Sequence, residues 1–227
     1  MKTMKKIGKM NEAAWVLGLL LCTLGVALCT KANFGISMIG APPYIIHLWL
    51  RDMLPWYTQG TSEYVWQGII LIVTCIAVMR FRLRHIVSFG TAILSGLAID
   101  MWFFFLGGNG AYESMPVRIM AFALGVVITA IAIAFIFRTT LTVQIYELAV
   151  CEIADRYKLK VDRVKLVNDL LMLAIYVTLA LALTGGWNGI GVGTIVITIV
   201  NAPLISLFGK IMDRFFEFDS RFPKLFG

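Results

Sequence analysis

Charged residues are scarce in this 227-residue sequence: they make up 15% of it, whereas apolar residues make up 59%. Several apolar runs are long enough to cross the hydrocarbon core of a bilayer as helices. The length allows about six crossings of about 20 residues each, with short connections and no room for a separate soluble domain. We therefore expect a single transmembrane domain over residues 1–227, with an all-α fold.

The sequence also lacks the short motifs of common enzyme classes. It contains no HExxH zinc-protease motif, no GxSxG nucleophile motif, no P-loop and no dinucleotide-binding glycine pattern. No pair of carboxylates has a spacing that would aim both at one point. We therefore predict no catalytic residues, no cofactor and no enzymatic activity.

Cysteines are few and unpaired in sequence. None of the four forms a CxxC motif, so neither a disulfide framework nor a metal site is predicted. The net charge of +7 would suit a nucleic-acid partner, but the cations lie in clusters beside apolar segments, where they orient a membrane protein and contact anionic lipid. The expected partner is the lipid bilayer, not nucleic acid.

Six apolar segments qualify as membrane spans. They are Ala13–Thr30, Glu63–Met79, Ile86–Leu106, Val117–Phe137, Leu166–Thr184 and Ile190–Gly209. Two further segments do not qualify: Ile36–Leu50 is short and contains two prolines, and Val143–Tyr157 has too many charges to face lipid. We predict that these two are re-entrant or interfacial helices.

Lysine and arginine concentrate on the cytoplasmic side of membrane proteins. With six spans, the N-terminal lysines, the Arg80–Arg84 turn, the Arg156–Lys165 connection and the C-terminal tail all fall on one side. The loops with few cations fall on the other side. The prediction is a multi-pass protein with both termini in the cytoplasm.

The two halves of the chain resemble each other. Gly90-Thr91 begins a small-residue pattern in the third span that recurs at Gly193-Thr194 in the sixth, and Lys31 and Arg138 follow the first and fourth spans at matching positions. Repeat one would cover about residues 12–107 and repeat two about 116–210. Because each repeat has three spans, the second must be inverted relative to the first, as in many transporters.

Polar residues and glycine precede a proline pair at the beginning of the first short segment. Asn33, Gly35 and Ser37 precede Pro42 and Pro43, and a proline pair suits the first turn of a helix. If this helix begins inside the bundle, its backbone N–H groups and these polar residues form a binding site for an anionic or strongly polar solute. The alternative is an amphipathic helix lying flat at the outer interface.

Polar residues deep in other spans extend this candidate site. Asp100 lies about 14 residues into the third span, a depth at which an acid should not face lipid. Its alternatives are ion or proton coupling and a fixed salt bridge to Lys31. Asn201 breaks the sixth span at the position that the repeat pairs with this region, and both residues are predicted to bind substrate.

Two cations and one polar pair have competing interpretations. Lys31 and Arg138, at opposite membrane faces, could guard the two entrances as gates or simply anchor their helices at the interface. Asn168 and Asp169 are interpreted as the cap of the fifth span, because an acid in the first turn of a helix is favourable.

Three stretches carry a resemblance that covers nearly the whole chain: KANFGISMIGAPPY, the two spans containing Gly-Thr, and the closing NGIGVGTIVITIVNAPLISLFGK. They resemble the bacterial YczE/YyaS/YitT-like family of small membrane proteins. The family's A-x-L-G-x-x-P element reads Ala32-Asn33-Phe34-Gly35 here with its prolines displaced, and its N-G-P element reads Asn201-Ala202-Pro203. The resemblance implies the bacterial cytoplasmic membrane and no known substrate.

Together these features favour a small transporter or permease for a polar or anionic solute bound between inverted repeats. The alternatives are a substrate-binding membrane component of a larger importer, or a membrane scaffold. Assembly into a homo-oligomer is left open by the sequence.

Overall fold

The computed structural model describes residues 7–9, 11–108, 110–139, 144–186, 189 and 191–217. Helices account for nearly all of these residues. The helices are α1 (Asn11–Ala32), α2 (Ala41–Leu50), α3 (Gln59–Val78), α4 (Leu83–Phe105), α5 (Met115–Ile136), α6 (Ile145–Tyr157), α7 (Val161–Leu179) and α8 (Val192–Phe215). A π-helical turn, Ala180–Thr184, continues α7.

Six of these helices, namely α1, α3, α4, α5, α7 with its π-helical turn, and α8, are long and apolar enough to cross a membrane. They coincide with the six predicted spans to within four residues, except that α7 begins five residues earlier and α8 ends six residues later than expected. Large apolar side chains such as Ile72, Leu97 and Ile199 are exposed on their outer faces, where lipid would cover them. The prediction of a helical membrane bundle is confirmed.

The two remaining helices are short. At 1.5 Å per residue, the 10 residues of α2 and the 13 of α6 extend about 15 and 20 Å, less than the hydrocarbon thickness of about 30 Å. One face of α2 packs on the bundle, because Ala41, Ile45 and His47 are buried and the helix contacts α3, α7 and the π-helical turn, whereas Trp49 is exposed. The two interpretations of α2, as a re-entrant or as an interfacial helix, both stay predictions.

Helices α1 and α5, which begin the two proposed repeats, form the most extensive contact in the molecule. They approach closely at glycines: a Cβ atom built on Gly25 would lie 2.8 Å from the Gly125 carbonyl oxygen, and one on Gly125 would lie 2.9 Å from the Gly25 oxygen. Small residues of this kind allow helix backbones to approach in lipid. The two halves thus meet along this pair.

Other helix contacts come in matched pairs. The α1–α4 contact corresponds to α5–α8, α2–α7 corresponds to α6–α3, and α2–α3 corresponds to α6–α7. An inverted repeat produces this pattern of exchanged contacts. Two pairs differ among the described residues: α3 packs tightly on α4 whereas α7 and α8 barely touch, and α4 contacts α6 whereas α8 and α2 do not make the corresponding contact. The exact repeat boundaries stay a prediction.

Helices α3 and α4 pack through Gly60 and Gly96. A Cβ atom on Gly96 would lie 2.5 Å from the Gly60 oxygen and 2.9 Å from the Tyr64 ring. Helices α3 and α4 therefore approach closely at Gly96, four residues before Asp100. Gly90 lies on the same helix, and a Cβ atom built on it would have no neighbouring atom from another helix within 4 Å. Replacement of Gly90 by alanine is therefore a control for the same replacement at Gly96.

The replacement Gly96→Ala should lower the free energy of unfolding by about 1–3 kcal/mol, because the added methyl group forces α3 and α4 apart. Gly90→Ala, which meets nothing, should raise stability by about 0.5–1 kcal/mol through the lost entropy of the unfolded chain. Denaturant titration of both purified variants in detergent measures the difference. Equal effects would contradict the tight α3–α4 contact.

Two short strands add to the expected all-helical fold. Strand β1 (Ile7–Lys9) pairs in parallel with β2 (Phe216–Glu217), which directly follows α8. Pairing of the two ends places them on one side of the membrane, as an even number of crossings requires. Most of the N-terminal lysines and the tail after residue 217, on which the cytoplasmic orientation rests, lie outside the described residues.

Which side the ends occupy can be tested by cysteine labelling. In a variant whose native cysteines are serine, Met53→Cys between α2 and α3 should react with a membrane-impermeant thiol reagent from outside, and Arg80→Cys between α3 and α4 from inside. Both positions are exposed. This orientation is expected because lysine and arginine are in excess on the cytoplasmic side. Labelling of Met53→Cys from inside and of Arg80→Cys from outside would show that the topology is the opposite of the predicted one.

Candidate functional site

The link between α1 and α2 lines a cleft of about 620 Å³ at one end of the bundle. Its walls include two predicted substrate-binding residues, Asn33 and Gly35, together with Tyr44 and Arg51 of the α2 region and Thr184 at the end of the π-helical turn. The cleft thus lies between the first half of the chain and the α7–α8 end of the second.

Gly35 has a backbone role in this cleft. Its φ of 125° disfavours any side chain, and a Cβ atom there would lie 2.5 Å from the Thr194 hydroxyl oxygen. On either side of it, Gly193 N–H donates to the Phe34 oxygen (2.8 Å) and Ile36 N–H donates to the Gly189 oxygen (3.0 Å). The glycine therefore lets the α1–α2 link join the start of α8.

The predicted anion site at the start of α2 is not assembled as expected. Pro42 and Pro43 are buried in the first turn, and proline has no N–H group to offer a ligand. The Pro43 carbonyl oxygen accepts a hydrogen bond from the Ser62 hydroxyl at 2.5 Å. Ser37 is exposed, accepts from Gly40 N–H and does not line the cleft.

Asp100 holds the start of α3. Its Oδ2 accepts from the Thr58 hydroxyl (2.6 Å) and its Oδ1 from Gly60 N–H (2.9 Å). A carboxylate at a helix N-terminus satisfies free N–H groups and favours the dipole. The expected salt bridge to Lys31 is wrong, because the Lys31 ammonium instead donates to the oxygens of Gly108 and Gly110 at 2.6 and 2.8 Å.

Arg138 makes the corresponding link in the second half. Its Nε and Nη2 donate to the two carboxylate oxygens of Asp213 on α8 at 2.6 and 2.8 Å. Lys31 thus ties the end of α1 to the end of α4, and Arg138 ties the end of α5 to the end of α8. A gating role for the two cations stays a prediction.

Asn201 lies in the middle of α8, two residues before Pro203, and the helix continues through both residues without the predicted break. Its Oδ1 is buried and accepts no hydrogen bond from the described residues. It does not join the other predicted site residues, because those lie at the α1–α2 link and at the start of α3. The predicted set therefore divides between the cleft, the helix ends and α8.

A second polar cluster, which the sequence analysis missed, lies where α3 meets α6. The Tyr146 hydroxyl donates to Glu63 Oε1 at 2.9 Å, and Gln67 Nε2 donates to the same oxygen at 3.1 Å. Gln67 is fully buried and Tyr146 nearly so. Glu63 was treated only as the boundary of a span; the signal for its role was Gln67, four residues later on the same helical face.

Glu147 of α6 and residues from two other helices lie near this pair. Cys22 of α1 lies within the electrostatic influence of both Glu63 and Glu147, and Asp169 of α7 lies within that of Glu147. Burial raises the pKa of the Glu147 carboxyl, and Asp169 raises it further. The helix-cap interpretation of Asp169 is wrong, since α7 begins eight residues earlier, at Val161.

We call Glu63, Gln67, Tyr146, Glu147 and Asp169 the central cluster. It gathers side chains from α3 of the first half and from α6 and α7 of the second. Burial, followed by the nearby Glu63 carboxylate, raises the pKa of the Tyr146 phenol well above its usual value, so the phenol remains a hydrogen-bond donor. The cluster is rich in acceptors and lies well inside the bundle.

An apolar layer separates the cleft from the central cluster. Along α7 and its π-helical turn, Thr184 lines the cleft, Tyr176 and Ala180 are buried against Ile36 and Ile45, and Asp169 lies two further turns away. At 1.5 Å per residue, Tyr176 is about 10 Å from Asp169 and about 12 Å from Thr184 along the axis. The layer therefore lies between Thr184 and Asp169 along this helix.

A third polar group fixes α6 to the start of α4. Glu152 is buried and contacts both Arg84 and His85, whose Nε2 lies 3.2 Å from Glu152 Oε1. Arg82 N–H donates to His85 Nδ1 (2.9 Å), so the proton of a neutral ring is on Nε2 and points at the carboxylate. Glu152, one of the charges that keep this segment from facing lipid, therefore lies in a buried ion pair.

The replacement Glu152→Gln should lower the free energy of unfolding by about 2–3 kcal/mol, because it removes a buried charge that is hydrogen-bonded to cations. Asp155→Asn, on the exposed side of the same helix, should change it by no more than about 0.5 kcal/mol. Denaturant titration in detergent compares them. Similar values for both would mean that the buried pair does not hold α6.

Comparison with known proteins places this arrangement in a family. The chain is 25% identical over 200 residues to the uncharacterized protein YyaS of Bacillus subtilis (strain 168), covering 88% of this chain and 92% of the relative. No solved structure matches it. A family model described as a family of unknown function, DUF6198, matches residues 10–210, and the chain belongs to this family.

Proposed function

We propose that this protein is a transporter that carries a small polar solute across the membrane by alternating access. The observation that carries the proposal is the central cluster: Glu63 of α3 and Tyr146 of α6 are hydrogen-bonded between the two halves, and Asp169 of α7 lies within the electrostatic influence of Glu147. Polar and ionisable groups at this depth are costly, and in membrane proteins they mark solute or ion paths.

The apolar layer supports the same mechanism. A solute that enters the 620 Å³ cleft meets Tyr176, Ala180 and Ile45 before it can reach the central cluster. These residues belong to α2 of the first half and to α7 and its π-helical turn in the second, so relative movement of the halves would open the layer. We infer that the structure represents a state in which this apolar layer is closed.

The end contacts of Lys31 and Arg138 suit such a movement. Each joins the first helix of a half to the last helix of the same half, so each half can move as a unit. We infer that the two cations stabilise the halves and do not contact solute. The membrane concerned is inferred to be the bacterial cytoplasmic membrane, with the paired chain ends inside.

The proposal can be separated from its alternatives by the native cysteine of α1. Cys22 is partly accessible and lies beside the central cluster, whereas Cys29, two turns away on the same helix, is buried. A transporter must expose the central region to each side in turn. A scaffold need not expose it at all, and a binding component of an importer must expose it on one side.

In a variant that retains only Cys22, a membrane-impermeant thiol reagent should label the protein from outside in right-side-out vesicles and from inside in inverted vesicles. A variant that retains only Cys29 is the matched control and should remain unlabelled from both sides, because Gly125 packs against that thiol. Mass spectrometry measures the labelled fraction. Labelling of Cys22 from one side only, or from neither, would contradict alternating access.

A further inference from the structure

Glu63 is an acid at the contact between α3 and α6, and one of its oxygens has two polar neighbours. Glu63 Oε1 lies 2.9 Å from the Tyr146 hydroxyl and 3.1 Å from the side-chain amide of Gln67, one turn further along α3. Gln67 is fully buried and Tyr146 nearly so. None of the ion pairs among the described residues includes Glu63. Its carboxyl thus lies in the helix contact without a cation.

Asp100 on the neighbouring helix provides a contrast. Its Oδ2 accepts from the Thr58 hydroxyl at 2.6 Å and its Oδ1 from Gly60 N–H at 2.9 Å. Both oxygens are engaged at the start of α3, where the helix dipole favours a negative charge. A carboxyl that is taken out of water without a cation or such a helix end takes up a proton instead. The surroundings of Glu63 therefore favour the neutral form, and those of Asp100 favour the carboxylate.

The Gln67 side chain gives independent support. With its amide nitrogen facing Glu63, its carbonyl oxygen is buried and has no donor among the described residues. Turning the amide by half a turn exchanges its oxygen and nitrogen in place. The carbonyl then faces Glu63 Oε1, which can donate to it only when that oxygen carries a proton. The unpaired carbonyl and the unpaired charge both disappear, and only the amide N–H groups stay without a partner among the described residues.

We propose that Glu63 is the proton-binding residue of this transporter and carries its proton while α3 and α6 are in contact. In this neutral form its O–H donates to the Gln67 carbonyl oxygen, and the same Oε1 accepts from the Tyr146 hydroxyl. The proposal rests on the transport function inferred above and names the ion to which transport is coupled. Proton coupling, one of the roles expected for Asp100, is thereby assigned to Glu63.

Loss of this proton opens the contact. Glu63 gives the proton to water, so that a carboxylate and a hydronium ion form and no other bond breaks. The carboxylate is more stable in a hydrated position than against α6, so α3 of the first half separates from α6 of the second. A proton taken up from the opposite side closes the contact again. Glu63 and Cys22, which lies within its electrostatic influence, are both partly accessible, so water has a route to this contact.

Other ionisable groups lie near this end of α3. On the helices around it they include Tyr146 and Glu147 of α6, Asp100 of α4, His47 of α2 and Cys22 of α1. The ion pairs of Glu152 with Arg84 and His85 lie near the other end of α3, at Cys75. Burial raises the pKa of the Glu147 carboxyl, so this acid can also hold a proton, and a variant must distinguish it from Glu63.

Infrared spectroscopy of the purified full-length protein in detergent detects the proton through the C=O stretching band of a protonated carboxyl. At about pH 6, where an ordinary glutamate is ionised, the native protein should show this band and Glu63→Gln should lose a component of it. Asp100→Asn is the matched control and should retain that component. Raising the pH to about 9 should convert it to carboxylate bands. A band that Glu63→Gln leaves unchanged would overturn the proposal.

Tyr146→Phe provides a second variant, should Glu63→Gln fail to fold. It keeps the ring and removes only the hydroxyl that donates to Glu63 Oε1. The C=O band of the protonated Glu63 should therefore shift in frequency, whereas a role of Tyr146 in packing alone would leave the band in place. An unshifted band would overturn the proposed arrangement.

The link to opening is tested with the variant that retains only Cys22, with and without Glu63→Gln, in detergent. At about pH 9 a thiol reagent should label Cys22 about fivefold faster in the protein that has Glu63, because only this protein forms the charge that separates α3 from α6. At about pH 6 the two rates should be equal. Titration of the thiol itself cancels in the ratio. Equal rates at both pH values would overturn the coupling.

The two proposals can fail separately. If Glu63→Gln leaves the infrared band unchanged but Cys22 is labelled from both sides of the membrane, the proton site is wrong and transport stands. If Glu63→Gln removes its component of the band and Cys22 is labelled from one side only, the proton site stands and the transport cycle is wrong.

Discussion

The close contact between α1 and α5 is the interaction on which the rest of the structure depends. Lipid tails are as apolar as leucine, so helices in a membrane associate through tight packing and not through the hydrophobic effect. Gly25 and Gly125 allow the two backbones to approach, and the Thr129 hydroxyl donates to the Gly125 oxygen at 2.7 Å. With these leading helices joined, α3 of one half lies against α6 of the other, and α7 against α2.

The distribution of polar contacts follows from this arrangement. At the ends of the bundle, cations are paired with carbonyl or carboxylate oxygens: Lys31 with the α4–α5 loop, Arg118 with the oxygens of Ala32 and Asn33, and Arg138 with Asp213. In the centre, Gln67 and Asp169 retain unpaired oxygens. These three cations thus hold helix ends, whereas unpaired buried oxygens are found within the helices, at Gln67, Asp169 and Asn201.

Features that depend on local sequence could be predicted, whereas contacts between distant residues could not. The spans follow from apolar length, and the start of α2 follows from its proline pair. The partners of Asp100 lie about 40 residues away on a preceding loop and helix, so Lys31 seemed an equally good partner. Glu63 looked like a boundary residue because its partner Tyr146 is 83 positions away, on a segment assigned by its charges to the membrane surface.

The weak contact between α7 and α8 distinguishes the second half from the first, where α3 and α4 are locked at Gly60 and Gly96. Helix α7 buries the smallest share of its surface among the six spans, and it ends in a π-helical turn, a common place for helices to bend. Among the described residues, few side chains of α8 would resist a tilt of α7 on that side. Such a tilt would carry Tyr176 and Asp169 with it.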